Sequence, residues 1–340
     1  MKLEIDKLLA RDVRSGARLL RWIDDGVAEA RAVLKVIWQH TGRARVIGIT
    51  GNPGAGKSTL TDQLIGRFRE RGLSVAVVAV DPSSPFSGGA ILGDRIRMQE
   101  HANDEGVFIR SFATRGHLGG LTHTTTDVVH ALDAMGWEVI LVETVGVGQD
   151  EVEVQRLAQT TLVVLTPGMG DEVQAIKAGI LEIADVFVVN KADREGADRT
   201  VRELEQMLEM GKGGRPSLGE LMHHGGLKAS DLEQADRASP DEWVPEIVKT
   251  VASRNEGIDE LVAAIDAHAE VYAKACQAPE FIRARLRQEF LEIYRRALFA
   301  RGWSYLMHED HLQQIVDRML DRSSDPYTLA EQAVRALGSR

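Results

Sequence analysis

Residues 51–58 read Gly-Asn-Pro-Gly-Ala-Gly-Lys-Ser, which satisfies the phosphate-loop pattern G-x-x-x-x-G-K-[ST] at every fixed position. The flanks agree with it. Val46-Ile47-Gly48-Ile49 ahead of the loop predicts a buried strand, and Ser58 to Arg71 behind it predicts a helix stopped by Gly72. Each residue type has a reason. Glycines let backbone N–H groups curl round phosphate oxygens, Lys57 reaches the β and γ oxygens, and the Ser58 hydroxyl ligates Mg²⁺. The helix N-terminus adds its partial positive charge. Gly51, Asn52, Pro53, Gly54, Ala55, Gly56, Lys57, Ser58 and Thr59 are therefore the expected nucleotide-binding residues of this loop, with Lys57 also catalytic. The segment predicts a site for a nucleoside triphosphate.

Outward from the loop, short β-branched runs alternate with helical stretches from about Arg45 to His268. The predicted strands are Val46–Thr50, Ser74–Val80, Val107–Phe112, Val139–Val142, Leu162–Leu165, Val186–Val189 and Ile247–Val251. Near-continuous apolar strands separated by helices mean an α/β fold with a mostly parallel sheet covered on both faces. Before it, residues 3–38 carry apolar positions at helical spacing (Leu8, Leu19, Ile23, Val27, Leu34), predicting two or three short helices. After Pro279, stripes at Ile282, Leu286, Phe290 and Ile293, then at Leu312, Ile315, Val316 and Met319, predict further helices, with another over Tyr327–Leu337. The expected organisation is an N-terminal helical extension (1–43), a nucleotide-binding domain (44–270) and a helical C-terminal region (271–340). Gly, Ser, His and charged residues between about 211 and 245 mark an insertion, with at most a short helix near Leu218–His223. Its His223-His224 pair reads more readily as solvated loop than as metal ligand, because no Cys or third His lies at ligand spacing.

The chain of 340 residues has 41 Lys and Arg against 51 Asp and Glu, a formal net charge of −10. An acidic surface repels phosphates, so nucleic acid is not an expected partner. The single cysteine, Cys276, allows no internal disulfide. The N-terminus lacks the apolar run of a signal peptide, and the purest apolar run, Val75 to Val80, is too short to span a membrane. A soluble cytoplasmic protein is expected.

Val186-Phe187-Val188-Val189 runs into Asn190-Lys191-Ala192-Asp193, the N-K-x-D signature of guanine recognition, at the end of a strand. A carboxylate at Asp193 accepts two hydrogen bonds from the guanine N1–H and exocyclic amine, which adenine cannot supply. Ala252, Ser253 and Arg254, at the end of the last strand, occupy a place from which the base is commonly supported, although an ordinary strand-end turn reads equally well. Beyond Ser58, three acids are candidates for the Mg²⁺ shell and for catalysis. Asp81 ends the second strand, Asp94 sits in a glycine-rich stretch, and Glu143 begins Glu-Thr-Val-Gly. The last resembles a common Asp-x-x-Gly element with one extra methylene, and Gly146 would then offer its N–H to the γ-phosphate. The plain alternative for each acid is a helix cap or loop carboxylate. Val147 follows Gly146 where many fast GTPases carry a water-orienting Gln, and Gln149 is displaced from that place, so slow intrinsic hydrolysis is expected.

Together these motifs resemble the MeaB/ArgK family of GTPases, which includes the methylmalonic aciduria type A protein. The pieces that carry the likeness are residues 51–58, Val-Asp-Pro-Ser-Ser-Pro (80–85), Gly-Asp-Arg-Ile-Arg-Met (93–98), Arg-Gly-His-Leu-Gly-Gly-Leu (115–121), Glu-Thr-Val-Gly-Val-Gly-Gln (143–149), Asp-Glu-Val-Gln-Ala-Ile-Lys-Ala-Gly (171–179) and Asn-Lys-Ala-Asp (190–193). The resemblance implies a P-loop NTPase of the signal-recognition-particle/metal-insertase type that binds GTP and GDP with Mg²⁺. It implies a homodimer formed through the C-terminal helices. It also implies a chaperone of an adenosylcobalamin-dependent acyl-CoA mutase, in which hydrolysis gates delivery of the cofactor and protects the mutase; adenosylcobalamin would be met only through that partner. By position, Ser58, Asp81, Asp94 and Glu143 would surround Mg²⁺ and Asp193 would read the base. Asp171, Gln174 and Lys177 resemble the family's extra switch, coupled to the mutase; without the resemblance they read as a helix cap and solvated face. The segment 211–245 departs from the pattern. The other readings are a GTPase that inserts metal into a metalloenzyme, against which the lone Cys276 argues, a transport-associated nucleotide-dependent kinase, disfavoured by Asn190-Lys191-Ala192-Asp193, and a purely structural partner module.

Overall fold

The computed structural model describes residues 4–81, 101, 103–113, 122–144, 154–155, 157–168, 183–211, 243–308 and 310–338. Seven parallel strands form one sheet in the order β3-β2-β4-β1-β5-β6-β7. They are β1 (Arg45–Gly51), β2 (Val75–Asp81), β3 (Val107–Ala113), β4 (Val139–Thr144), β5 (Thr160–Leu165), β6 (Val186–Asn190) and β7 (Glu246–Thr250). All seven expected strands are present, with no end displaced by more than two residues. The chain switches direction of travel across the sheet at β1: β4 lies on one side of it and β5 on the other. Doubly wound sheets hold ligands at the carboxyl ends of strands flanking such a point, and the phosphate loop begins there.

Strand alternation sorts the side chains. Ile47 and Ile49 of β1, Val75 and Val77 of β2, Val139 and Leu141 of β4, and Leu162 and Val164 of β5 share one core cluster with Leu60, Leu64, Ile65 and Phe68 of α4 (Lys57–Glu70). The same cluster takes Ile258, Leu261, Val262 and Ile265 of helix α7 (Ile258–Ala275). The alternate residues Val46, Ala76, Val78, Ile140 and Val142 face the opposite layer. There they meet α5 (Thr122–Ala134) and the N-terminal helices α1 (Ile5–Leu9), α2 (Val13–Asp24) and α3 (Ala28–Ile37). On the far wing of that layer, α6 (Ala197–Gly211) covers β5 and β6 through Leu204, against Val163, Leu165, Phe187 and Val189.

The N-terminal helices thus belong to the sheet's own core. Leu8, Leu19, Leu20 and Ile37 are fully buried beside Trp137 and Val142. Asp133, in the last turn of α5, accepts bonds from the backbone N–H groups of Gly42, Arg43 (3.1 Å) and Ala44 (2.9 Å), and so fixes the turn that feeds β1. On the other face, α4 and α7 are joined by charge as well as by packing. Asp266 of α7 accepts from Arg45 of β1 (2.6 Å) and Arg71 (2.7 Å), while Arg67 of α4 pairs with Asp259 (2.9 Å). Partial burial pushes the Asp266 carboxyl up, but the bonds from Arg45 and Arg71 outweigh it and hold the group below the usual carboxylate range.

The chain divides into two compact units, one of residues 1–222 and 240–274, the other of 223–239 and 275–340. The second contains α8 (Pro279–Leu306), α9 (His311–Leu320) and α10 (Pro326–Gly338), which match the three expected C-terminal helices. The expected short helix near Leu218–His223 and the His223-His224 pair lie outside the described residues.

Because Leu20 is fully buried where α2 meets the layer of α5, Leu20→Ala is expected to destabilise the whole nucleotide-binding unit by about 2–5 kcal/mol. Urea denaturation followed by circular dichroism measures it. A transition unchanged in midpoint would show that the N-terminal helices ride on the sheet without stabilising it.

Candidate nucleotide site

The loop from Gly51 to Gly56 joins β1 to α4 in a path closed to other residues at both ends. Gly51 has φ +128°, and a Cβ there would lie 2.0 Å from the Val164 carbonyl oxygen of neighbouring β5. Gly56 has φ +93°, and a Cβ there would meet the Asn190 side-chain nitrogen at 2.4 Å. Both positions need the left-handed region and the missing side chain together. The Lys57 side chain is folded into the loop, 6% exposed. Its Nζ donates to the carbonyls of Gly51 (2.6 Å) and Asn52 (2.9 Å), which places the ammonium beside the backbone that the motif wraps round phosphates.

Directly after Lys57, two of the candidate metal residues, Ser58 and Glu143, come together. Glu143 stands near the end of β4, opposite Ile49 of β1 and Ala79 of β2. By alternation it shares the side of Val139 and Leu141, the α4 side. Its Oε1 accepts from Ser58 Oγ at 2.6 Å and its Oε2 from Thr61 Oγ1 at 2.8 Å. The carboxylate is 7% exposed. Two hard oxygen donors this close at a helix start are the ligand type that Mg²⁺ takes, and this donor set fits that ion. Of the other two acids, Asp81 is the last residue of β2, with its side chain outside the described residues, and Asp94 lies outside them altogether. Gly146, Asp171, Gln174 and Lys177 also lie outside.

The Asn190-Lys191-Ala192-Asp193 stretch leaves β6 and returns to the loop. Asn190 Nδ2 donates to the Ala55 carbonyl (2.8 Å), while Asn190 Oδ1 accepts from Thr250 Oγ1 (3.1 Å) and the Ala252 backbone N–H (3.1 Å). Lys191 adopts a left-handed backbone, φ +57°, and its Nζ donates to the Gly54 carbonyl (2.6 Å). A positive φ is uncommon for a non-glycine residue, and here it accompanies the turn that brings Lys191 back to the loop. Asp193 Oδ2 accepts from Arg254 Nη2 at 3.1 Å, with side chains 35% and 59% exposed respectively. Ala252, Ser253 and Arg254 form a single 3₁₀ turn beyond β7. The structure therefore brings together the loop, Ser58 with Glu143, and residues 190–193 with 252–254.

Three participants were not singled out from the sequence. Thr61 shares Glu143 with Ser58, Thr250 holds Asn190, and Thr144 donates to Thr50 (3.0 Å) between β4 and β1. The signal for Thr61 was present in the spacing: it lies three residues past Ser58 on the helix, hence on the same face.

A model of the family described as methylmalonyl Co-A mutase-associated GTPase MeaB matches residues 17–305. A protein of Pyrococcus abyssi named as a GTPase is 43% identical over 337 residues, 98% of this chain and 97% of that protein. A fused isobutyryl-CoA mutase of Cupriavidus metallidurans is 38% identical over 230 residues, 66% of this chain and 21% of the fusion. The crystal structure of a LAO/AO transport system kinase covers 98% of this chain and 96% of its own at a TM-score of 0.64 and 24% identity, which shows a shared fold. With the phosphate loop, the sheet and a family match across most of its length, the chain belongs to the MeaB family and is a P-loop GTPase.

Proposed function

We propose that this GTPase serves an adenosylcobalamin-dependent acyl-CoA mutase, gating delivery of the cofactor and protecting the loaded mutase from inactivation. The observation that supports this most is the fused isobutyryl-CoA mutase, in which a segment resembling this chain is part of one polypeptide with a mutase. A fusion makes an encounter intramolecular and so raises its effective concentration; separate chains need a docking surface instead.

In this reading the residues divide the work by chemistry. Lys57, with Gly51 to Thr59, holds the phosphates; Ser58 and Glu143, joined by Asp81 and Asp94, supply the oxygen shell of Mg²⁺. When bound, Mg²⁺ supplies charge neutralisation on the transferring phosphoryl group. Gly146 offers a backbone N–H to the γ-phosphate. Asn190 and Lys191 hold the loop to β7, while Asp193 reads guanine beside Ala252, Ser253 and Arg254. Asp171, Gln174 and Lys177 couple nucleotide state to the mutase.

The proposed protein is a homodimer. Along α8, Phe290 is 63% exposed, and Ile282, Leu286 and Ile293 are each about two-fifths exposed. Phe290 stacks on Tyr294, four residues further on and beside the same stripe, which continues the apolar surface along that side of the helix. Contiguous apolar surface of this kind marks an interaction face.

Three measurements test these assignments. Asp193→Asn is expected to weaken GDP binding about a hundredfold, the loss of two bonds to a charged acceptor; binding within threefold of the parent protein would mean that Asp193 does not read the base. The chain truncated after Gln277 is expected to be monomeric by light scattering, and a dimer would place the interface elsewhere. Adding a cobalamin-dependent acyl-CoA mutase is expected to raise the GTPase rate, and Lys177→Ala to lose most of that rise while keeping GTP affinity. An unchanged rate with every mutase tried would sink the partner assignment, and full stimulation of the variant would make residues 171–177 scaffold.

A further inference from the structure

We propose that Thr61 is a positioning residue for Glu143, fixing the carboxylate that the metal reading places in the Mg²⁺ shell; the inference rests on that reading. Glu143 is longer by one methylene than the aspartate of the common Asp-x-x-Gly element, so its carboxylate has an additional torsion to fix. It is also buried, and a buried charge needs donors on its oxygens. Ser58 occupies Oε1. Thr61, fully buried one turn further along α4, holds Oε2 at 2.8 Å. Residues three apart share a helix face, and strand alternation turns Glu143 to that same face, so the two hydroxyls grip the two oxygens of one carboxylate. With Oε2 fixed, Oε1 stays against the Ser58 hydroxyl.

Thr61 has a second acceptor. Its Oγ1 also lies 3.0 Å from the Lys57 carbonyl, four residues earlier. A hydroxyl carries one proton, and the bond to a carboxylate is the stronger, so the proton goes to Glu143. The Lys57 carbonyl is the alternative, the familiar i−4 bond of a helical threonine. Thr61 can therefore release Glu143 without leaving a buried donor unpaired, which lets the carboxylate adjust when Ser58 changes partner. Lys57 and Ser58 are neighbours in the first turn of α4, so this one hydroxyl contacts the phosphate-binding residue directly and the metal-binding one through Glu143.

The test uses the full chain loaded with GDP, into which Mg²⁺ is titrated calorimetrically, together with GDP affinity measured in EDTA. Thr61→Val keeps the branched shape and removes the hydroxyl, and Thr61→Ala gives a second variant that a helix accommodates. Both are expected to weaken Mg²⁺ binding about tenfold, the loss of one charge-assisted bond, with GDP affinity in EDTA changed by no more than about twofold. Thr61→Ser is expected to restore Mg²⁺ binding. Combined with Glu143→Ala, the Thr61→Val change should add nothing. Mg²⁺ affinity within twofold of the parent in both hydroxyl-free variants would overturn the proposal. So would a full additional loss in the double variant, because Thr61 would then act without Glu143. A Glu143→Ala protein with unaltered Mg²⁺ affinity would instead overturn the metal assignment itself, whatever the Thr61 variants show.

Discussion

The site is organised round the side-chain amide of Asn190. Its nitrogen holds the Ala55 carbonyl of the phosphate loop, and its oxygen gathers Thr250 and the Ala252 N–H from the end of β7. Asn190 is 3% exposed, so these bonds form away from water, where an unpaired amide would be costly. The amide can do this because β1, β5, β6 and β7 are adjacent and parallel, so their carboxyl ends sit side by side. An aspartate at 190 could accept from β7 but could not donate to the loop. The tie also explains Gly56, whose missing Cβ leaves room for that nitrogen. Loop shape and base-reading segment are thus one constraint: neither keeps its geometry without the other.

A second constraint comes from the sheet's alternation. The odd-numbered residues of β4 face α4 and the even-numbered ones face α5 and the N-terminal helices. A shift of one residue in β4 would carry Glu143 to the wrong side. The register of β4 with both β1 and β2 therefore positions a catalytic candidate as much as it builds a core. The packing of Val139 and Leu141 against one layer, and of Ile140 and Val142 against the other, holds that register. Core and site share one cause here.

The strands and the phosphate loop were legible because parallel strands buried on both faces are written as unbroken apolar runs, and because Gly51, Gly56 and Lys57 have few alternatives. The pairing of Ser58 with Glu143 was legible as chemistry. What could not be read was contact between segments distant in sequence. The stripe of Leu8, Leu19, Leu20 and Ile37 shows that the N-terminal helices bury a face, but not that the face is laid on α5 and Trp137. Nothing near Asp133 says that its carboxylate caps residues 42–44. Thr61 belongs to no motif and gains meaning only from the side of β4 on which Glu143 emerges. The partnership of Arg254 with Asp193 likewise depends on β6 and β7 being neighbours, which sequence spacing does not state.

The two compact units differ in how they are held. In the nucleotide-binding unit, apolar side chains are packed away on both faces of the sheet. Among the described residues of the helical unit, Leu329 is the one buried apolar side chain. Leu320, Tyr327 and Val334 join the α8 residues on its exposed surface. Isolated helices in water are marginal, and most helical stability comes from covering an apolar face. The three helices cover one another only in part and leave a large apolar surface exposed. In the proposed dimer that exposed surface is covered by the same unit of a second copy, so its coverage depends on protein concentration. The glycines, the lysine and the Asn190 tie of the nucleotide site all lie in the nucleotide-binding unit, whose apolar side chains are packed on both faces of the sheet.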